Sequence, residues 1–276
     1  MRNFHVFADG IDVERNKIEK VSDNLGQSHC HDKYEILYVI EGQGKCVIEG
    51  VEYQIKPRCV FVFAPLVYRA LYLEEGSVYD RASITFRKEH VSSSVTEILT
   101  AFGNDDSKLS PAVFYAADTV SDQIASVVER FESAEGFPEA EKAKFMGLLI
   151  SELVLLISMA GGEAGGYDES ELGARVIRYL NENGERDISL DRLARRFFVS
   201  KYHLCRAFKS YNGISVHGYI NKKRVMYAKQ LIEAGETASR AAYQVGFGDY
   251  SAFYRAYVKI VGKAPTSNEK QNLTKG

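Results

Sequence analysis

"SKYHLCRAFKSYNG", residues 200–213, returns 49 residues later as "DYSAFYRAYVKIVG", residues 249–262, in the same register. Ser200 and Asp249 open the stretches with side chains that satisfy the free N–H groups of a helix start. Leu204 and Phe208 match Phe253 and Tyr257, four residues apart on one face. Gly213 and Gly262 close them, as glycine closes helices that end left-handed. A short helical pattern precedes each cap, "LDRLARRF" at 190–197 and "SRAAYQV" at 239–245. The pattern predicts a helix-turn-helix, twice.

In such a unit the second helix enters the major groove and its outward residues meet bases and phosphates. With Leu204 and Phe208 inward, the outward face of the first carries Lys201, Tyr202, Arg206 and Lys209. The second offers Tyr250, Ser251, Tyr254 and Arg255. A guanidinium can bond guanine O6 and N7 together, so the arginines at matching register are the sharpest candidates. Between the units, "VHGYINKKRVMYAKQLIEAG" reads as one amphipathic helix. About 18 helical residues span ~27 Å, near the ~34 Å between successive major grooves on one DNA face.

Charge supports the same partner. The chain of 276 residues has a net charge of −2, yet from Glu171 onward 19 Lys and Arg face 9 Asp and Glu. A basic last third on an acidic body points one domain at a polyanion. The N-terminus has no apolar stretch behind Arg2, and the greasiest run, 145–160, is broken by Glu152. No signal peptide or membrane span is expected, and the location expected is cytoplasmic. Cys30, Cys46, Cys59 and Cys205 lack Cys-x-x-Cys spacing, which suits reduced thiols.

Before the basic region the period differs. Residues 34–90 alternate short β-rich runs with glycine turns. Ile124, Val127, Val128 and Phe131 then mark one helix face. A helix at about 139–159 is apolar nearly all round in its second half, so it needs burial on more than one side. "GGEAGG", 161–166, has the composition of a flexible linker. Near the start, "HCHDKYEILYVIEG", residues 29–42, sets His29 and His31 one residue apart and Glu35 four after His31, in a run of β formers.

Residues 172–265 resemble the DNA-binding domain of the AraC/XylS regulators, on "ISLDRLARRFFVSKYHLCRAFK", "GYINKKRVMYAKQLI" and "VGFGDYSAFYRAYVKIVGKAP". The resemblance implies base contacts by Tyr202, Cys205 and Arg206 in the first unit and by Tyr250, Ser251 and Arg255 in the second. It departs at Ala238 and Ala241, where the family packs large aliphatics. The closing Pro-x-x-Tyr-Arg survives only as Pro265, with Asn268 and Glu269 in the last places. Residues 29–68 resemble a cupin barrel: His29-x-His31, Glu35 and Gly42 fit its first motif. Tyr68 stands near where the second motif has its last histidine, and Arg58 or Cys59 where it has glycine.

The expected fold is α+β in two domains. A cupin-like β-barrel (jelly roll) sensor at 1–118 is followed by dimerisation or linker helices at 119–160 and a flexible linker at 161–170. An all-α domain of two helix-turn-helix units joined by a long helix then fills 171–268. The expected function is a non-enzymatic, sequence-specific transcription regulator acting with RNA polymerase on an operator as a homodimer, with its sign, activator or repressor, left open by the sequence. A small polar effector, a sugar or metabolite, would meet His29, His31, Glu35, Tyr68 and Arg81, with no cofactor and no metal. Two alternatives stand beside it: a metal-dependent cupin enzyme fused to a DNA-binding domain, and an architectural DNA-binding protein without an effector.

Overall fold

The structure, a computed structural model, describes residues 3–22, 31–49, 51–65, 67–102, 113–115, 118–162, 166–167, 171–183 and 189–265. The chain divides into two compact units, 1–167 and 168–276.

The first unit opens with β1 (Phe4–Ala8) and β2 (Ile11–Ile18), paired antiparallel. Their turn is Asp9-Gly10, both at positive φ, which suits the twist of a tight hairpin. β3 (Tyr34–Glu41), β4 (Gly44–Ile48), β5 (Val51–Ile55), β6 (Cys59–Phe63), β7 (Arg69–Leu73) and β8 (Tyr79–Phe86) follow. Then come α1 (Ser93–Ala101), β9 (Val113–Tyr115), α2 (Asp118–Ser133) and α3 (Glu139–Met159), and the pairs β10 (Gly161–Gly162) and β11 (Gly166–Tyr167). The strands form a seven-stranded sheet, β1-β2-β8-β3-β6-β9-β10, and a four-stranded sheet, β11-β5-β4-β7. The β-rich sensor followed by a helical domain is as expected. Among the described residues, however, the strands form two open sheets and do not close into one barrel.

Alternation along the strands builds two cores. Ile36 and Tyr38 of β3, Val60 and Val62 of β6, and Ala82, Ile84 and Phe86 of β8 face the helices. There they meet Ile124, Val127, Val128 and Phe131 of α2, the face read from the sequence, and Met146, Leu149, Ile150, Leu153, Val154 and Ile157 of α3. Each such side chain stabilises by roughly 1.5–3 kcal/mol when fully buried. Leu37, Val39, Cys59, Phe61, Phe63 and Tyr79 face the other way and pack with Cys46, Ile48, Ile55 and Leu73 of the smaller sheet. β3 is therefore buried on both faces, which explains its nearly unbroken apolar run. Part of the expected linker is ordered: Gly161 and Gly162 pair with β9, and Gly166 and Tyr167 with β5.

The second unit is helical: α4 (Leu172–Asn183), α5 (Leu190–Arg196), α6 (Lys201–Asn212), α7 (Val216–Glu233), α8 (Ala238–Gln244) and α9 (Tyr250–Val261). Side chains of Ser189, Ser200, Ser215, Thr237 and Asp249 accept N–H bonds from the first turns of α5 to α9. Each cap contributes about 1 kcal/mol. α6 and α9 both end on a left-handed glycine, Gly213 and Gly262. α7 braces both pairs. Tyr219 meets Phe208 edge to face at 5.7 Å, and Val225, Ala228 and Ile232 pack with Phe253 and Tyr257. The small Ala241 and Ala242 of α8 are buried in that same cluster, where Phe247 supplies the bulk.

Candidate functional site

In the first unit, the β-sandwich brings the His31–Glu35 pair to an arginine that the sequence reading passed over. Glu35 lies on the inter-sheet face of β3 and is 6% exposed. The guanidinium of Arg69, on β7 of the opposite sheet, donates to Glu35 Oε2 and sits 4.4 Å above the Phe63 ring. Ser83 Oγ, on β8, donates to Glu35 Oε1 at 2.6 Å. His31 Nε2 stands 3.1 Å from Glu35 Oε2 and 3.0 Å from Arg69 Nη2, and its Nδ1 is 3.0 Å from the Lys33 carbonyl. With Nδ1–H donating to that carbonyl, a neutral ring accepts from Arg69, and a protonated one donates to Glu35. The ion pair spans the two sheets.

The other expected effector residues distribute unevenly. His29 and Cys30 lie outside the described residues. Tyr68 is buried, and its backbone N–H donates to Glu49 Oε1 at 2.8 Å; the residue that reaches His31 and Glu35 is its neighbour, Arg69. Arg81 lies on β8, on the face of Ser83, and its guanidinium carbon is 5.5 Å from the Tyr79 ring centroid. Arg69 could have been found in the sequence only through its charge in an otherwise apolar strand, "RALYL".

The donor set argues against a metal at this place. A divalent ion would need the Glu35 carboxylate and His31 Nε2, and the Arg69 guanidinium engages both. Among the described residues, no three His, Cys, Asp or Glu converge as ligands. His90 sits in a short turn after β8, where its Nδ1 accepts the Arg87 N–H at 3.1 Å. The buried thiols are poor nucleophiles: burial pushes Cys59 up to about 11 and holds Cys46 well above its ordinary value.

In the second unit, α6 buries Leu204 and Phe208 and α9 buries Phe253 and Tyr257. This turns Lys201, Tyr202, Arg206 and Lys209, and Ser251, Tyr254 and Arg255, to solvent, with Cys205 and Tyr250 half-buried. Lys201 Nζ is 2.7 Å from Asp191 Oδ1 of α5, and that contact holds the Asp191 carboxyl below the usual range. The side chains of Arg206 and Arg255 have no ion pair or hydrogen bond to any described residue, so both guanidinia are available to a partner.

The description "AraC-like ligand binding domain" matches residues 22–149, and "Helix-turn-helix domain" (HTH_18) matches residues 193–271. The chain belongs to the AraC/XylS family. It is 27% identical over 224 residues to the HTH-type transcriptional regulator YbfI of Bacillus subtilis (strain 168), covering 81% of this chain and 80% of that one. It is 24% identical over 226 residues to the HTH-type transcriptional activator RhaS of Escherichia coli O81 (strain ED1a), covering 82% and 81%. Among solved structures, an apo ToxT variant from Vibrio cholerae strain SCE256 aligns over 93% of this chain and 95% of that one, at 16% identity and a TM-score of 0.40. This AraC/XylS member is therefore a DNA-binding transcription regulator with a ligand-binding domain, and not an enzyme. No helix among its described residues is long and apolar enough to cross a membrane.

The turns after α5 and α8, the first helices of the two helical pairs, differ at one position. Gly246 follows α8 at φ 89°, and Phe198 follows α5 at φ 54°. A non-glycine residue there costs roughly 1–2 kcal/mol, and Phe198, 92% exposed, recovers little by packing. Phe198→Gly should therefore raise the stability of the second unit, by up to about 1 kcal/mol after the added unfolded-chain entropy. Chemical denaturation of the two proteins measures it; a loss would show that Phe198 is held by a contact.

Proposed function

We propose that the chain binds its operator as a homodimer, reads bases through α6 and α9, and is controlled by a small effector held between the sheets of the first unit. What carries the reading is the register of Arg206 and Arg255. Both are exposed and unpartnered on twin helices that pack on the same helix, α7. Tyr202, Cys205, Tyr250 and Ser251 would share the groove contacts, with Lys201 and Lys209 nearer phosphate. A half-buried cysteine is the weakest hydrogen-bonding reader of this set.

The effector would meet His31, Glu35, Tyr68 and Arg81, together with His29, which lies outside the described residues. Its binding would favour one arrangement of the sensor over another and so alter operator occupancy. Action as an activator is in line with the name of one relative, the transcriptional activator RhaS; contact with RNA polymerase, in the cytoplasm, belongs to the same proposal. An architectural protein without an effector would bind DNA with little sequence preference. It leaves the charged inter-sheet cluster without a purpose.

Dimerisation has a candidate surface. On α3, Leu148, Leu155 and Met159 are 65%, 46% and 71% exposed. They lie at i, i+7 and i+11, one face of the helix. Glu152, in the same stripe, pairs with Arg130 of α2 at 2.8 Å. A second copy covers such a stripe by symmetry, because one patch then meets itself. The double variant Leu148→Glu, Leu155→Glu in the full chain should sediment as a monomer and lose about 100-fold or more in operator affinity with its avidity. A dimeric mass in that variant would place the interface elsewhere.

A further inference from the structure

The inter-sheet face holds two buried donors without an acceptor. The Tyr79 hydroxyl and Arg81 Nη1 are both shielded from solvent, and neither finds a hydrogen-bond partner. They sit two residues apart on β8, so their side chains leave the same face of the sheet. That face is the inner one: Tyr79 packs with Leu37, Val39, Phe61 and Leu73. A buried phenol without a partner is destabilising, and so is a shielded guanidinium N–H, although Arg81 as a whole is half-buried.

Arg15 is matched by Asp80, with bonds of 3.2 and 2.8 Å. Arg69 is matched by Glu35. Among the described residues, no carboxylate pairs with Arg81. Burial pushes the Tyr79 phenol up and keeps it protonated, although Arg81 beside it pulls the other way. Tyr79 therefore remains a donor, and a guanidinium can only donate.

We infer that Tyr79 and Arg81 form the anchor for an effector carboxylate: one O–H and one N–H donor, and one positive charge, set against an apolar wall. The inference rests on the effector reading above and names its chemical class. A monoanion balances the site. A phosphate monoester would bring a second negative charge among Leu37, Val39 and Phe61 with nothing to neutralise it. A neutral sugar would leave the guanidinium charge uncompensated. The effector is thus a small organic acid whose body lies against the apolar inter-sheet side chains.

The test has two arms on the full chain. Without ligand, Arg81→Met and Tyr79→Phe each remove a donor that lacks a partner. Melting temperature should hold or rise, by about 2–4 °C per kcal/mol of relieved cost. A fall in either variant overturns the inference, because the donor was then satisfied within the protein. With ligand, thermal melting and calorimetry compare benzoate, hexanoate and galacturonate with benzamide, hexanamide and galactose. At least one acid should stabilise the wild type while its neutral counterpart does not. Arg81→Met should bind that acid about 10- to 100-fold more weakly. Acids that all fail, or a neutral probe that stabilises as well as its acid, overturn the carboxylate anchor. A neutral probe that stabilises both wild type and Arg81→Met would do so while leaving ligand control of the regulator standing.

Discussion

Arg69→Met should destabilise the first unit by about 3–5 kcal/mol, the cost of stranding one partner of a buried ion pair. Glu35 and Arg69 side chains are 7% and 9% exposed, so water cannot replace the lost guanidinium. Ser83 still donates to Glu35 Oε1, but a neutral hydroxyl does not neutralise a carboxylate. Protein stability is only about 5–15 kcal/mol in all, and the loss would lower the melting temperature by on the order of 10 °C. The double variant Glu35→Leu, Arg69→Met should recover most of it, because methionine keeps the packing on Phe63 and no charge remains buried. Urea unfolding of the four proteins in the cycle measures the coupling directly. A loss below about 1 kcal/mol in Arg69→Met would mean that the pair is solvated and the two sheets are held together by Leu37, Phe61 and their apolar neighbours alone.

Phe253→Ala should cost a similar ~3–5 kcal/mol in the second unit. Phe253 is fully buried, and its ring lies 5.4 Å from Phe247, 5.8 Å from Tyr250 and 5.4 Å from Tyr257, centroid to centroid. Removing it opens a cavity where α7, α8 and α9 meet, and α9 loses the packing that turns Arg255 outward. Denaturant unfolding should show the loss, and operator binding should fall to what the first helix-turn-helix alone provides. Unchanged stability would mean that the alanine-rich α8 collapses into the gap.

The helical unit was legible because its signals are local. Ser200 and Asp249 cap, Gly213 and Gly262 terminate, and the i, i+4 pairs face inward, all within one helix each. The first unit was harder, because its pairings run between residues far apart in the chain. The β1–β2 hairpin was announced by Asp9-Gly10 between two alternating runs, a signal present in the sequence and passed over. Arg69 could not be matched to Glu35 without knowing that β7 faces β3 across the sandwich. The same holds for Gly161 and Gly162, whose composition reads as linker while their backbone pairs with β9. Arg81 was legible as a charge in a strand, but its lack of a partner is visible only in three dimensions.

In the proposed complex, α6 and α9 read separate base positions in successive major grooves. Affinities of wild type, Arg206→Ala and Arg255→Ala on a series of single-base substitutions in the operator test it most directly. Each variant should lose about 1–3 kcal/mol at the specific site and relax preference at its own position. The two positions should lie one turn, about 10 bp, apart. Lys209→Ala is the control: as a phosphate contact it should weaken all sequences alike and reduce the salt slope by about one. If both arginine variants instead lose affinity uniformly at every position, the arginines only hold the protein on the backbone, and the account of paired base readers is contradicted.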